Sequence, residues 1–77
     1  MRQLAERGIT DRFDTLSERE REVFQLIAEG RSNKEITEIL FLSPSTVETH
    51  RARIMEKLDV HSAVEIVFYA VRKGIIS

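Results

Sequence analysis

From Leu16 onward, apolar residues recur every three to four positions, the spacing of helices that bury one face. A helix over about 18–29 turns Val23, Phe24 and Ile27 inward, and one over about 33–40 turns in Ile36, Ile39 and Leu40. A third, over about 44–58, offers Val47, Ile54 and Leu58. A fourth, over about 62–73, offers Val67, Ala70 and Val71, with Ile66 and Ile75 beside them. Leu42 and Val60 are apolar residues in short connections and are expected to plug the core. No stretch alternates with the period of a strand. The pattern predicts an all-α fold, a compact four-helix bundle.

The punctuation agrees with the periodicity. Ser17-Glu18-Arg19-Glu20, Ser32-Asn33-Lys34-Glu35 and Ser62-Ala63-Val64-Glu65 each fit a capping box. In that device the serine oxygen takes a backbone N–H and the glutamate reaches back to the cap. Ser43-Pro44 is a different start, a capping serine followed by a proline whose missing N–H costs nothing in the first turn. Gly30 and Gly74 follow the first and last patterns and suit left-handed C-terminal caps. Residues 1–14 are polar, and Leu4, Ile9 and Phe13 do not share one helical face. They read as a tail or interdomain linker ending at about residue 15, with a short helix over Arg2–Arg7 the one local structure suggested. The domain proper is then 16–77.

The second and third helices, eight and fifteen residues joined by three, have the lengths of a helix-turn-helix. Ile36, Leu40, Leu42 and Val47 are expected to meet at its crossing. With Val47, Ile54 and Leu58 inside, the third helix presents Ser45, Thr49, Ala52, Arg53 and Glu56 outward. Glu48 and Met55 flank that face on one side, and Thr46, His50 and Lys57 on the other, with Arg51 near the buried stripe. Side chains of these types pair with base edges in a major groove: Arg with guanine, Glu with the cytosine amino group, Thr with either, methyls with thymine.

Composition changes the picture in two ways. The chain of 77 residues has no cysteine and two histidines, which excludes disulfide staples and cysteine zinc sites and leaves no metal set. No glycine-rich phosphate loop or supported Ser/His/Asp set is present, so neither an enzyme nor a cofactor is expected. No apolar run approaches the roughly 20 residues of a membrane span, and nothing resembles a signal peptide, so a cytoplasmic location is expected. The net charge of −1 lacks the usual basic footprint of nucleic-acid binding. Residues 30–61 balance five cations against five anions, and the case for DNA rests on placement. Several acids sit at caps, whereas the cations fall beside helix starts and along the third helix.

The stretch Leu16-Ser17-x-Arg19-Glu20-x-Glu22-Val23, then Ile27-Ala28-Glu29-Gly30-x-Ser32-Asn33-Lys34-Glu35-Ile36, resembles the LuxR-type DNA-binding domain. The resemblance continues through Leu42-Ser43-x-x-Thr46-Val47-x-x-His50-x-x-x-Ile54-x-x-Lys57-Leu58-x-Val60 and the ending Glu65 to Ile76. The run Ser43 to Arg51 is most similar to response regulators of the NarL/FixJ branch. The resemblance implies an output domain that binds double-stranded promoter DNA as a homodimer and addresses RNA polymerase. It puts Glu48, Thr49 and Ala52 on the bases, and Asn33, Lys34, Thr46, Arg51 and Lys57 on phosphates. It makes the fourth helix the dimer surface, with Val64, Phe68 and Val71 as candidates. A receiver domain does not fit within 77 residues, and a quorum-sensing or standalone regulator is the related alternative. Glu48 departs from a frequent lysine, Phe41 from a frequent glycine and Thr37 from a frequent alanine.

Bland readings stand beside these. Glu48 is either a base reader or a surface acid, and Phe68 either a dimer contact or a core residue. His50 reads as a packed residue and His61 as a loop residue. Outside DNA binding, a helical protein-interaction module is the remaining alternative.

Overall fold

Four serines set where the helices begin. The computed structural model describes residues 12–76 and builds α1 (Glu18–Ala28), α2 (Asn33–Leu40), α3 (Pro44–Leu58) and α4 (Ala63–Arg72) after a 3-10 turn at Arg12–Thr15. The suggested helix over Arg2–Arg7 lies outside the described residues. Ser17, Ser32, Ser43 and Ser62 each accept the backbone N–H three residues on, at 3.1, 3.2, 3.2 and 3.3 Å. Glu20 and Glu35 close their boxes by accepting the N–H of Ser17 and Ser32, both at 2.9 Å. The third box differs from expectation: Glu65 takes the N–H of His61 rather than that of Ser62. Ser62 has φ −156°, against −69° at Ser17 and −76° at Ser32, which swings its own N–H out of reach.

The helices end alike. Gly30 (φ 90°) and Gly74 (φ 74°) are left-handed, as their place in the sequence predicts. Arg31 and Ile75 donate back five residues to Leu26 and Ala70 at 2.9 Å each, closing two Schellman motifs. The other two ends use the same closure without glycine. Phe41 and Asp59 both have φ 57°, and Leu42 and Val60 donate to Thr37 and Met55 at 3.2 and 3.0 Å. A Cβ in this region costs about 1–2 kcal/mol. Phe41 is 92% exposed, so no packing of its own offsets that cost. The tight three-residue turn between α2 and α3 holds it there.

The core is one cluster. Leu16, Val23, Phe24, Ile27, Ile36, Val47, Ile54, Leu58, Ile66 and Ala70 are buried, and Leu40, Leu42, Val60 and Ile75 pack against them. Two residues that the periodicity places inside lie outside. Ile39 is 44% exposed because Ile36 and Leu40 take the inward side of the short α2, leaving Ile39 at the edge facing α1. Val71 is 49% exposed, and Val67 is only half-buried. On α4 the buried stripe is Ile66 and the small Ala70, one turn apart, which let the helix pack on α1. At 100° per residue this turns Val64, Phe68 and Val71 to the opposite face. Phe13 departs from the tail reading in the other direction. Its ring meets that of Phe24 edge-on at 5.2 Å, so the 3-10 turn joins the core.

A buried ion pair ties α1 to α3. Glu20 is buried, and its Oε1 accepts from Lys57 Nζ at 2.8 Å while Lys57 also donates to the Thr15 carbonyl at 3.2 Å. Burial pushes the Glu20 carboxyl up. The hydrogen bond from Lys57, the N–H of Ser17 and the ammonium charge outweigh it and hold the carboxyl below its ordinary value of 4.5. A carboxyl lowered in the folded state stabilises the fold above its unfolded pKa, and that stabilisation is lost as pH falls through the folded value. Urea unfolding followed by circular dichroism should therefore show stability dropping below about pH 4.5, with a flatter acid limb in Glu20→Gln. At neutral pH Lys57→Met should cost about 1–3 kcal/mol by stranding a buried carboxylate. Equal acid limbs in the two proteins would remove this role from Glu20.

Candidate nucleic-acid interface

The α2–turn–α3 unit brings one small, polar helix face to the surface. Val47, Ile54 and Leu58 bury the inner stripe of α3. Ser45, Glu48, Thr49, Ala52, Arg53 and Glu56 lie exposed, as the periodicity predicts. At the start of α3, Ser43 Oγ lies 2.8 Å from Thr46 Oγ1 and 3.2 Å from Ser45 Oγ, a hydroxyl cluster around the first free N–H groups. The first turns of α1, α2 and α4 each contain an acid, and that of α3 contains none. Its helix dipole therefore faces outward without a compensating carboxylate, a setting that suits a phosphate.

The side chains on this face differ in what they offer. Thr49 Oγ1 donates to the Ser45 carbonyl at 3.0 Å, so outward it presents a methyl and lone pairs rather than a donor. Ala52 adds a second methyl with no bulk above it. Glu48 is exposed and has no ion-pair partner among the described residues, so it presents acceptors only. His50 is half-buried with Nδ1 enclosed and unpaired, in keeping with a packed residue. Thr37 Oγ1, on the facing helix α2, is likewise enclosed without a hydrogen-bond partner.

The distribution of cations is the sharpest electrostatic feature. Arg12, Arg19, Arg21, Arg31 and Lys57 each lie within 4 Å of a carboxylate, at 3.8, 3.0, 3.8, 3.9 and 2.8 Å. Arg72 lies over the ring of Tyr69 at 5.8 Å. Lys34, Arg51 and Arg53 have no carboxylate in reach among the described residues. All three sit at the start of α2 or along α3. Asn33 and Arg51 are half-buried and Lys34 is exposed, so the α2 start and the flank of α3 bring amide, ammonium and guanidinium groups to the surface of the helix-turn-helix.

Lys57 does not join them. The resemblance puts it on a phosphate, but two of its ammonium donors are committed to Glu20 and to Thr15. These partners lie 37 and 42 residues away in sequence, and no local pattern signals such a pairing. Glu20 shows in sequence only as the closing residue of a capping box. Val64, Phe68 and Val71 form an exposed apolar stripe on α4, apart from the α3 face. Among the described residues, no group of three or more His, Cys, Asp or Glu is placed to hold a metal ion, and no helix is long and apolar enough to cross a membrane.

Known proteins match this chain closely. The model of the family described as bacterial regulatory proteins, luxR family, matches residues 14–70. The chain is 57% identical over 60 residues to the uncharacterized response regulatory protein YgeK of Escherichia coli K12, covering 78% of this chain and 41% of that protein. It is 51% identical over 67 residues to the oxygen regulatory protein NreC of Staphylococcus aureus JH9, covering 87% of this chain and 31% of that protein. The chain thus spans less than half the length of these relatives. A helix-turn-helix with capped starts and this span of matched residues lead to one assignment: the chain belongs to the luxR family of bacterial regulatory proteins.

Proposed function

We propose that this chain is the DNA-reading output domain of a response regulator of the NarL/FixJ kind, with α3 lying in the major groove of promoter DNA. The carrying observation is the placement of Lys34, Arg51 and Arg53, which have no carboxylate partner among the described residues and share the α2 start and α3. The names of the relatives, a response regulatory protein and an oxygen regulatory protein, support the same reading. In it Glu48, Thr49 and Ala52 meet base edges, while Asn33, Lys34, Thr46 and Arg51 meet phosphates. Glu48 accepts from a cytosine or adenine amino group, and the methyls of Thr49 and Ala52 meet thymine. Lys57 is a positioning residue that ties the far end of α3 to α1. Two copies pair through Val64, Phe68 and Val71 on paired half-sites, in the cytoplasm, where RNA polymerase is the further partner. The domain works by binding and performs no catalysis.

Each phosphate contact releases counterions, so log K falls linearly with log salt by about 0.9 per contact. In fluorescence anisotropy on a random duplex across a salt series, Lys34→Ala and Arg51→Ala should each lower the slope by about 0.9. Lys57→Met should leave the slope unchanged. Slopes indifferent to Lys34 and Arg51 would remove the DNA reading and favour a protein-interaction module.

Base readers behave differently. Selection from a random-site library should return an altered motif for Glu48→Ala and for Thr49→Ala, with a discrimination change of about 1–3 kcal/mol at one base pair each. The wild-type motif recovered from both variants would take these residues off the bases.

Phe68 is 60% exposed, so Phe68→Asp should keep its helical spectrum. It should lose cooperative occupancy of paired half-sites in a gel-shift titration while holding single half-site affinity. Undiminished pairing would move the self-association face away from α4.

A further inference from the structure

Helix α4 carries a charge pattern beside its apolar stripe. Val64, Glu65, Phe68, Val71 and Arg72 are all exposed. At 100° per residue they share one arc, with Val64 and Val71 on one flank, Phe68 at the centre, and Glu65 and Arg72 on the other flank. The charged flank borders a single hollow, which Glu65, Phe68 and Arg72 line together. Glu65 and Arg72 are seven residues apart, about 10 Å along the axis, with Phe68 between them. The face therefore carries one charge of each sign at nearly equal reach from its centre.

Both charges are held in place, and neither is neutralised. Glu65 accepts the N–H of His61, and the guanidinium of Arg72 lies over the Tyr69 ring at 5.8 Å. Neither has an ion-pair partner among the described residues. Asp59 borders the same hollow and lies 3.8 Å from Arg12.

Helical arithmetic decides how a second copy fits this face. A two-fold axis sets residue i on j and j on i. With two α4 helices antiparallel about Phe68, flanks of the same kind meet. Val64 then lies by Val71 of the second copy, and Glu65 by Arg72 of the second copy, each contact made twice. With the helices parallel, the axis crosses the flanks and presses each charged flank on the valines of the other copy. That strips water from both charges and returns no partner. A different partner without this layout leaves the same two charges unanswered.

We propose that two copies of this chain join through α4 in the antiparallel sense, with Glu65 of each copy paired with Arg72 of the other. The inference rests on the proposed pairing through α4, and it adds the direction, the register and the residues that select like from unlike.

The chain has no cysteine, so introduced cysteines report the register directly. The test oxidises the full chain without DNA. Val64→Cys mixed with Val71→Cys should form a disulfide between copies. Val64→Cys alone should not, because its two copies lie about 13 Å apart along the axis in this register, beyond disulfide reach. Adding Glu65→Arg to both cysteine variants, or Arg72→Glu to both, should slow cross-linking about tenfold, or 1.4 kcal/mol. Glu65→Arg on the Val64→Cys copy with Arg72→Glu on the Val71→Cys copy should restore the original rate. Such rescue also guards against a misfolded variant passing as a lost contact. Cross-linking of Val64→Cys with itself, indifference to the charge reversals, or reversals that mixing does not rescue would overturn the proposal. No cross-link in any mixture would overturn pairing through α4 itself, while the salt slopes on DNA judge the α3 face separately.

Discussion

Helix α3 must be gripped along one side and left bare along the other, and the rest of the molecule answers that demand. Its buried stripe is sparse: Val47, Ile54 and Leu58 over fifteen residues. A domain of this size has one thin core. Three aliphatic side chains do not by themselves define how a long helix is rotated about its axis. The turn through Leu42 holds the N-terminal end, and the buried bond between Glu20 and Lys57 holds the C-terminal end. Phe13 and Thr15 complete the second anchorage from the 3-10 turn, one through the Phe24 ring and the other through its carbonyl. A polar clamp suits this place because it fixes direction as well as distance, whereas apolar packing tolerates rotation. The Glu20 carboxylate serves two helices at once, capping the start of α1 and receiving the end of α3.

The helices were legible in sequence because their determinants are local. Serine caps, glycine ends and the 3.6 period act within one turn, and the observed bounds of α2 and α3 coincide with those the pattern implies. Apart from the third capping box, where the φ of Ser62 redirects Glu65 to His61, the departures are nonlocal. Periodicity makes Ile66, Val67, Ala70 and Val71 a single apolar band, and only packing on α1 decides that Ile66 and Ala70 form its centre. Ile39 is apolar at the right spacing, yet an eight-residue helix has too little length to bury every apolar position. Phe13 sits in a polar stretch without a helical partner, and its burial depends on Phe24. Lys57 matches a family motif position in sequence, while its actual neighbours come from the other end of the chain.

Three surfaces result, each with a different chemistry. The α3 face combines small polar side chains with Arg51 and Arg53, which have no carboxylate in reach among the described residues. The α4 face exposes Val64, Phe68 and Val71, with Glu65 and Arg72 beside Phe68. The α1–α2 groove has an aliphatic floor of Leu26, Ile39 and Leu40. These surfaces occupy different helices, so they can be used together. Their separation follows from Ala70 and Ile66 drawing α4 onto α1, which sends the two apolar patches to different sides.

The exposed carboxylate of Glu48 is the hardest feature to reconcile with the proposed placement of α3 against a phosphate lattice, and the answer lies in how discrimination arises. With a net charge of −1 the chain has little general attraction to DNA, and an exposed carboxylate on α3 reduces it further at every site alike. Specificity is the difference between the right site and all others, so a uniform loss leaves that difference untouched. Against a cytosine or adenine amino group the carboxylate gains a charge-assisted bond. Against guanine O6 and N7 it faces acceptors and loses its hydration without return. In the proposed function the same residue thus weakens non-specific residence and widens the gap between sites. The affinity it gives up must come from somewhere that does not blur sequence preference. In the proposed function, joining two copies through α4 supplies it, because paired half-sites square the discrimination of one while requiring no additional cation on α3.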